Sequence, residues 1–400
     1  MAYLKDITTS NKNDVQIDAG GRARVSQLTS LFDGKILVND NVFTWDSIGT
    51  GGDSFSVNHS EMTTAADTQY RIRQAKRFGP YFSGKSQVCE LTCDNLQHET
   101  GITKRVGYFS SSTTAPYTAN FDGFFWESDG TDYRLKVYNN GSLIYSKLFT
   151  DMQGYEKLSS YDWSNFTVIL FDFLWLGGAE LRMFVKTDEG FIFLDEFVHA
   201  GQTTGTMMAN PNQPVRYEIR QTGAGSGQLN AICSQISTEG SITEEGYNGS
   251  IDTGDTAITC TNVGTIYPIL GIKKKAAHRN TSVKITSVDG QVTSNNDIVK
   301  WMVCLNPTTS AALTYNDETN QPIQKAVGDG TITVTNVNRV IAQGYLRQGN
   351  SIPSESLEKD YLAYLGTDID ANSEALVLCY MPLTASPATF GAINFKEQTN

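Results

Sequence analysis

The sequence predicts an all-β protein: two β-sandwich, jelly-roll-like domains with an N-terminal arm and one short helix in the C-terminal domain. Three observations lead there. Short segments rich in Val, Ile, Thr, Tyr and Phe recur along the chain, parted by Gly, Asn and Asp turns, while helical periodicity is scarce. Hairpin signals are legible, above all Asn140-Gly141 inside KVYNNGSLIYSKLF, where Asn-Gly tolerates the positive φ of a tight turn. Finally, 400 residues exceed one ordinary domain, and the Gly, Ser, Thr and acid-rich stretch Gln235 to Thr256 reads as a linker or exposed loop.

In chain order, residues 1–50 are expected as an N-terminal arm or early strands, and 51–236 as a large sandwich carrying most aromatics. A linker over 237–256 and a second β-sandwich over 257–400 follow. Within the first domain, FTVILFDFLWLGGAELRMFVK supplies two antiparallel strands turning at Gly177-Gly178. AELRMFVKTDEGFIFLDEFV turns again near Asp188 to Gly190, with Leu181, Met183 and Val185 alternating against Arg182, Phe184 and Lys186. In the second domain TITVTNVNRVIAQGYL and EALVLCYMPL read as strands. The exception is Ser354 to Gly366, where Leu357, Tyr361, Tyr364 and Leu365 fall at helical spacing between a Pro and a closing Gly. No repeat of fixed period points to a propeller or solenoid.

Composition excludes several classes. A formal charge of -12 argues against a nucleic-acid binder, whose footprint is a basic domain or stripe. No run of eighteen apolar residues suggests a membrane span, and MAYLKDITTS lacks the apolar core of a signal peptide. Synthesis in a cytoplasm, with release by a route such as lysis, is the expectation. Of the six cysteines only Cys89 and Cys93 are close in sequence. In a strand they lie roughly 13 Å apart, too far for a disulfide or a shared metal, so all six are read as reduced packing thiols.

The segments RQAKRFGPYFSGKSQ (Arg73 to Gln87), KRVGYFSS, WESDGTDYRLKV, YDWSNFTVILFDFLWLGGAELRMFVK, NQPVRYEIR and CSQISTEG occur in this order. Together they resemble a family of bacteriophage virion structural proteins. WMVCLNPT, the GYL near Tyr345 and the ending AINFKEQ resemble a domain appended to it. The likeness spans most of residues 20–398. It implies a virion component of a tailed phage, on the head, neck, tail or a fibre, that self-associates and docks to other virion proteins. The first domain is similar to concanavalin-like and laminin-G-like sandwiches, a fold analogy that carries no function by itself. The alternative is a lectin-like appendage binding a host glycan or receptor.

Little in the sequence points to chemistry, and no catalytic residue, metal or cofactor is expected. His59, His98, His199 and His278 have no Cys or His at ligand spacing. No G-x-S-x-G occurs, and GAGSGQ (Gly223 to Gln228) lacks the strand-to-helix context of a phosphate loop. Glu127, Asp129 and Asp132 crowd into ESDGTD, where a β-turn, a calcium loop and a glycosidase carboxylate pair compete. Trp126, Trp163 and Trp175 serve either as core or as a sugar-stacking shelf. The basic group at Arg71, Arg73, Lys76, Arg77 and Lys85 has three readings: pairing with acids of its own domain, contact with an acidic patch on a neighbouring subunit, or nucleic acid. Net charge disfavours the last, and Arg73, Lys76, Arg77 and Lys85 are the candidates for subunit or partner contact, in a closed homo-oligomer such as a trimer that would cover edge strands. KKKAAHRN (Lys273 to Asn280) is read as a solvated loop or interface rim.

Overall fold

The computed structural model describes residues 17–36, 41–202, 204–241, 246–293, 297–347, 355–356 and 363–398. They form an all-β protein of two compact units that divide between Thr243 and Glu244. Among the described residues the longest helix is the four-residue turn Tyr155–Leu158, and no helix is long and apolar enough to cross a membrane.

The first unit holds β1 (Leu28–Lys35), β2 (Trp45–Gly49), β3 (Gly52–Ser56), β4 (His59–Thr64), β5 (Tyr70–Ala75), β6 (Gln87–Asp94), β7 (Ile102–Ser110), β8 (Asp122–Ser128), β9 (Tyr133–Asn139), β10 (Ser142–Leu148), β11 (Thr167–Leu174), β12 (Glu180–Thr187), β13 (Gly190–Val198), β14 (Val215–Gln221) and β15 (Gly227–Glu239). One sheet runs β13-β12-β11-β6-β15-β4-β3, with β1 also on β15. The other runs β10-β9-β8-β7-β14-β5-β2. β14 and β15 follow each other in sequence yet enter different sheets. β14 lies between β7 and β5, and β15 between β6 and β4, so this pair fills the middle of both.

Period-two alternation sends one set of side chains between the sheets. Phe124 of β8 meets Phe171 of β11 at 5.1 Å, and Tyr108 of β7 meets Phe173 at 5.3 Å. Tyr217 of β14 crosses the core to donate to the Cys233 carbonyl at 3.0 Å. Trp126 stacks on Tyr133 at 5.6 Å and lies beside Trp163 at 5.3 Å. Trp126 and Trp163 are buried, so they are core and not a shelf for sugar. The expected turns form. Asn140 and Gly141 take φ of 41° and 91° to join β9 to β10. Residues 175–179 join β11 to β12, and Thr187 pairs with Gly190 where β12 meets β13.

Of residues 1–50, expected as an arm or early strands, β1 and β2 each join a sheet, and Ile17 bridges Ala23. Residues 237–256, expected as a linker, contain the end of β15 and an edge strand, Tyr247–Asp252. Its polar composition reflects that edge, where only Ile251 turns fully inward.

The second unit holds β16 (Tyr247–Asp252), β17 (Ile258–Thr259), β18 (Tyr267–Lys274), β19 (Ser282–Val292), β20 (Ile298–Leu305), β21 (Thr308–Thr309), β22 (Asn316–Asp317), β23 (Ile323–Val327), β24 (Val334–Asn336), β25 (Arg339–Arg347), β26 (Glu355–Ser356), β27 (Ala375–Pro382) and β28 (Ala388–Gln398). A sheet β16-β28-β19-β26, with β17 also on β28, faces a sheet β22-β23-β18-β27-β20-β25. Val283, Ile285, Ile393 and Phe395 of the first are buried, as are Ile269, Val303, Leu378 and Tyr380 of the second. The Tyr380 hydroxyl reaches across to the Phe390 carbonyl at 3.0 Å. Gly249 in β16 is required by packing: a Cβ there would stand 2.3 Å from the Phe395 ring. The helix expected at Ser354 to Gly366 falls largely outside the described residues. Of that stretch, Glu355–Ser356 pair with β19 and Tyr364 bridges Lys284.

Candidate functional site

The outer face of the β14-containing sheet carries the densest charge in the first unit. In VRYEIRQ the odd positions Val215, Tyr217 and Ile219 turn inward, so Arg216, Glu218 and Arg220 share the outer face. Cross-strand pairing then sets Glu218, Arg105, Glu127 and Arg134 in one row over β14, β7, β8 and β9. Arg105 donates to Glu127 Oε2 and to Glu218 Oε1, both at 2.6 Å. Lys136 reaches Glu127 Oε1 at 2.5 Å, and Arg216 reaches Glu218 Oε2 at 2.7 Å. Arg220 completes the ring of donors on Glu218. Burial by itself would raise the Glu218 carboxyl, but the guanidiniums of Arg216, Arg105 and Arg220 outweigh it and bring the group down to about 2.

The segment after β7 closes over this row. Tyr117 accepts from Arg220 through its carbonyl at 3.2 Å, and Phe121 lies 5.1 Å from the Arg105 guanidinium. Arg216 lies over Phe109 at 5.2 Å. Glu218 and Phe125 are therefore buried although they point away from the sandwich core. A general acid needs a carboxyl that holds a proton near neutral pH, and Glu218 is held in the opposite state.

The other sequence candidates are accounted for locally. Asp129 caps its own turn, accepting from the Thr131 and Asp132 amides at 3.0 and 2.8 Å, and Arg134 stands beside it. Glu127 lies on β8 in the charged row, so ESDGTD forms a turn and does not bring its carboxylates together. No cluster of three metal-ligating side chains occurs among the described residues. His98 stacks on Tyr133 at 3.7 Å, and burial lowers its pKa. His199 is buried, with its Nε2 3.1 Å from the Gly205 carbonyl. All six cysteines are free thiols, and burial pushes Cys93 up to about 12.

The basic segment needs correction. Arg73 is fully buried on the inward side of β5, its guanidinium 5.0 Å from the Trp45 ring. Arg77 is buried and donates to the Phe43 carbonyl at 2.8 Å. Neither presents a surface to another subunit. Lys85 reaches the Ser241 carbonyl at 2.5 Å, and Lys76 is half-buried, its amide bonded to the Thr44 carbonyl at 2.9 Å. The segment ties β2 and the end of the first unit to its own body. Charge counting could not show this, because orientation within the strand decides whether an arginine faces solvent or Trp45.

The described residues that best fit a ligand lie at one end of the second sandwich. A cleft of about 670 Å³ opens between Tyr247, Asn248 and Glu397 on one sheet and Lys275, His278 and the turn Asn320–Pro322 on the other. Tyr247 and Glu397 are direct cross-strand partners. Tyr247 is 71% exposed and Glu397 only 8%. Glu397 Oε2 and Gln321 Oε1 are buried acceptors with no hydrogen-bond partner among the described residues. Burial also raises the Glu397 carboxyl. Two buried acceptors without a partner among the described residues thus border this cleft, where donors from a ligand would satisfy them. Sequence reasoning missed this site because its residues come from four separated segments, and only Lys275 and His278 stood out, as part of KKKAAHRN.

No protein-family model matches the chain, and no curated protein does. Among solved structures, the chain is similar to the Emp47p carbohydrate recognition domain, at 12% identity over 54% of this chain and 98% of that one, with a TM-score of 0.35. It is similar to a carbohydrate esterase of the Shiga toxin-encoding bacteriophage phi24B at 9% identity, 54% and 100% coverage and a TM-score of 0.34. It is also similar to a legume lectin-like domain from Entamoeba histolytica at 10% identity, 53% and 98% coverage and a TM-score of 0.35.

Proposed function

We propose that the protein is a non-catalytic carbohydrate-binding β-sandwich protein that holds a sugar in the end cleft of its second unit. The observation that carries this is the pair of orphaned acceptors, Glu397 Oε2 and Gln321 Oε1, beside the exposed Tyr247 ring. A sugar brings several hydroxyl donors and an apolar ring face in one small body. The donors would satisfy both oxygens, and the ring face would stack on Tyr247. Glycosidases use two carboxyls across the scissile bond, whereas Glu397 is the only carboxylate among the described residues lining this cleft.

Screening the purified protein on a glycan array, followed by calorimetry on the hits, tests the reading. Tyr247→Ala is expected to weaken binding by about tenfold, the value of one lost aromatic contact of about 1.4 kcal/mol. Its melting temperature should not move, because the ring is largely exposed. Equal affinity in Tyr247→Ala and Glu397→Gln would place the sugar elsewhere, and an array without hits would remove the proposal.

A second reading follows from the family likeness: a structural component of a phage virion, self-associating and docking to other virion proteins. One observation favours it. β3 is an edge strand whose five residues are all exposed, followed at once by Val57 at 77% exposure. Light scattering should then show a stable oligomer that a Phe55→Lys, Val57→Lys variant reduces to monomer. A wild-type monomer at high concentration, or absence of the protein from purified particles, would count against this role.

A further inference from the structure

The end cleft sets a carboxylate and an aromatic ring side by side. Tyr247 and Glu397 oppose each other across β16 and β28. Directly opposed residues of an antiparallel pair hold their Cβ atoms about 4.5–5.5 Å apart, so one small group can touch both. Glu397 is 8% exposed, its Oε2 has no hydrogen-bond partner among the described residues, and burial raises its carboxyl. Lys275 at the same cleft is engaged elsewhere: its Nζ donates to the Glu318 carbonyl at 2.8 Å and stands 3.9 Å from Asp317 Oδ2. His278 is exposed. The second orphan, Gln321 Oε1, is an acceptor as well, and no buried donor among the described lining residues is left without a partner. A buried carboxylate is costly without a counter-charge.

We infer that the glycan is an amino sugar, with an unacetylated ammonium seated on Glu397 against the Tyr247 ring. This rests on the carbohydrate-binding reading above and adds the ligand's chemical class. The donor count separates the candidates. A hydroxyl offers one donor and brings lone pairs that need donors of their own, whereas an ammonium offers three donors and no acceptor. An ammonium also supplies a counter-charge to Glu397 and is attracted to the face of a tyrosine ring. Its further donors suit Gln321 Oε1. N-acetylation removes the charge and two of the three donors, so the site discriminates between the two forms of one sugar. The net charge of -12 adds long-range attraction for a cation.

Calorimetry with glucosamine and galactosamine oligosaccharides, each beside its N-acetylated counterpart and at a pH that keeps the amine protonated, tests the inference. For the sugar that binds, the free-amine form is expected to bind about tenfold tighter than the acetylated form, the size of one charge-assisted hydrogen bond. That advantage should shrink as salt rises from about 50 to about 500 mM. Glu397→Gln keeps the shape and an acceptor but removes the charge, so both forms should then bind alike. Gln321→Glu, at a partly exposed turn position, should widen the preference. An unchanged melt shows that each variant is folded. Should Glu397→Gln melt early, Gln321→Glu decides, and a preference that it does not widen overturns the inference. Equal binding of the two forms by the wild type, tighter binding of the acetylated form, or a preference surviving Glu397→Gln would overturn the amino-sugar inference and leave carbohydrate binding standing. Array hits confined to glycans without an amine would overturn it as well. Failure of all glycans would remove both.

Discussion

Glu218→Gln is expected to destabilise the first unit by about 3–5 kcal/mol, the cost of leaving buried cations without their counter-charge. Three guanidiniums converge on this carboxylate, from Arg105, Arg216 and Arg220, and Arg216 is itself 1% exposed. Glutamine keeps the shape and one acceptor but removes the charge. For a unit of this size the loss corresponds to a melting shift on the order of 10 °C. Calorimetry should show it in the first unit's transition, with the second unit's transition as the internal control. A change below about 1 kcal/mol would mean that solvent, and not Glu218, balances these cations. Acid provides an independent reading. The folded value of Glu218, about 2, lies below its ordinary value of 4.5, so its contribution is present above 4.5 and is lost as pH falls toward 2. The wild type should lose stability through that window, and Glu218→Gln should lose less.

Asp172→Asn is expected to cost about 3 kcal/mol and to loosen the N-terminal segment. Asp172 and Arg182 are both fully buried on the outer face of β11 and β12, where they form an ion pair. Arg24 reaches Asp172 at 2.9 Å and Glu239 at 2.7 Å, Ser86 donates to Asp172 at 2.6 Å, and Arg182 also donates to the Ile17 carbonyl. One carboxylate thus clips residues 17–24 onto the sheet. Asparagine leaves Arg182 without its charge partner in the pair and weakens the hold on Arg24. Trypsin should cut the variant at Arg22 or Arg24 well before it cuts the wild type. Cleavage at equal rates, with an unchanged melt, would show that the clip is held by other contacts.

What the sequence made legible was local. Asn140-Gly141, the Gly177-Gly178 turn and the Asp188 to Gly190 turn each form where expected, because a turn depends on a few adjacent residues and their allowed φ. The buried arginines were illegible for the converse reason. Arg73 looks like any surface cation until the register of β5 against β14 places it beside Tyr217 and Trp45. The charged row was half visible. Arg216-x-Glu218-x-Arg220 has the period of a single strand face, yet Arg105 and Glu127 join it only through sheet pairing. The end cleft was the least visible, since Tyr247, Lys275, Gln321 and Glu397 share nothing along the chain.

The placement of β14 and β15 bears on how the first unit comes into being. As the chain leaves the ribosome, β2 to β5 appear early and β6 to β13 follow, but the two groups have no strand pairing that joins them. They are united only when residues 215–239 arrive and enter the middle of both sheets at once. Until then β6 and β7 each present an open hydrogen-bonding edge, a state prone to mispairing with other chains. Closure must also span long stretches of sequence, which makes it slow. Nascent chains ending before Val215 should therefore be held by chaperones or aggregate, and the entry of β14 and β15 is the step that commits the unit to its fold.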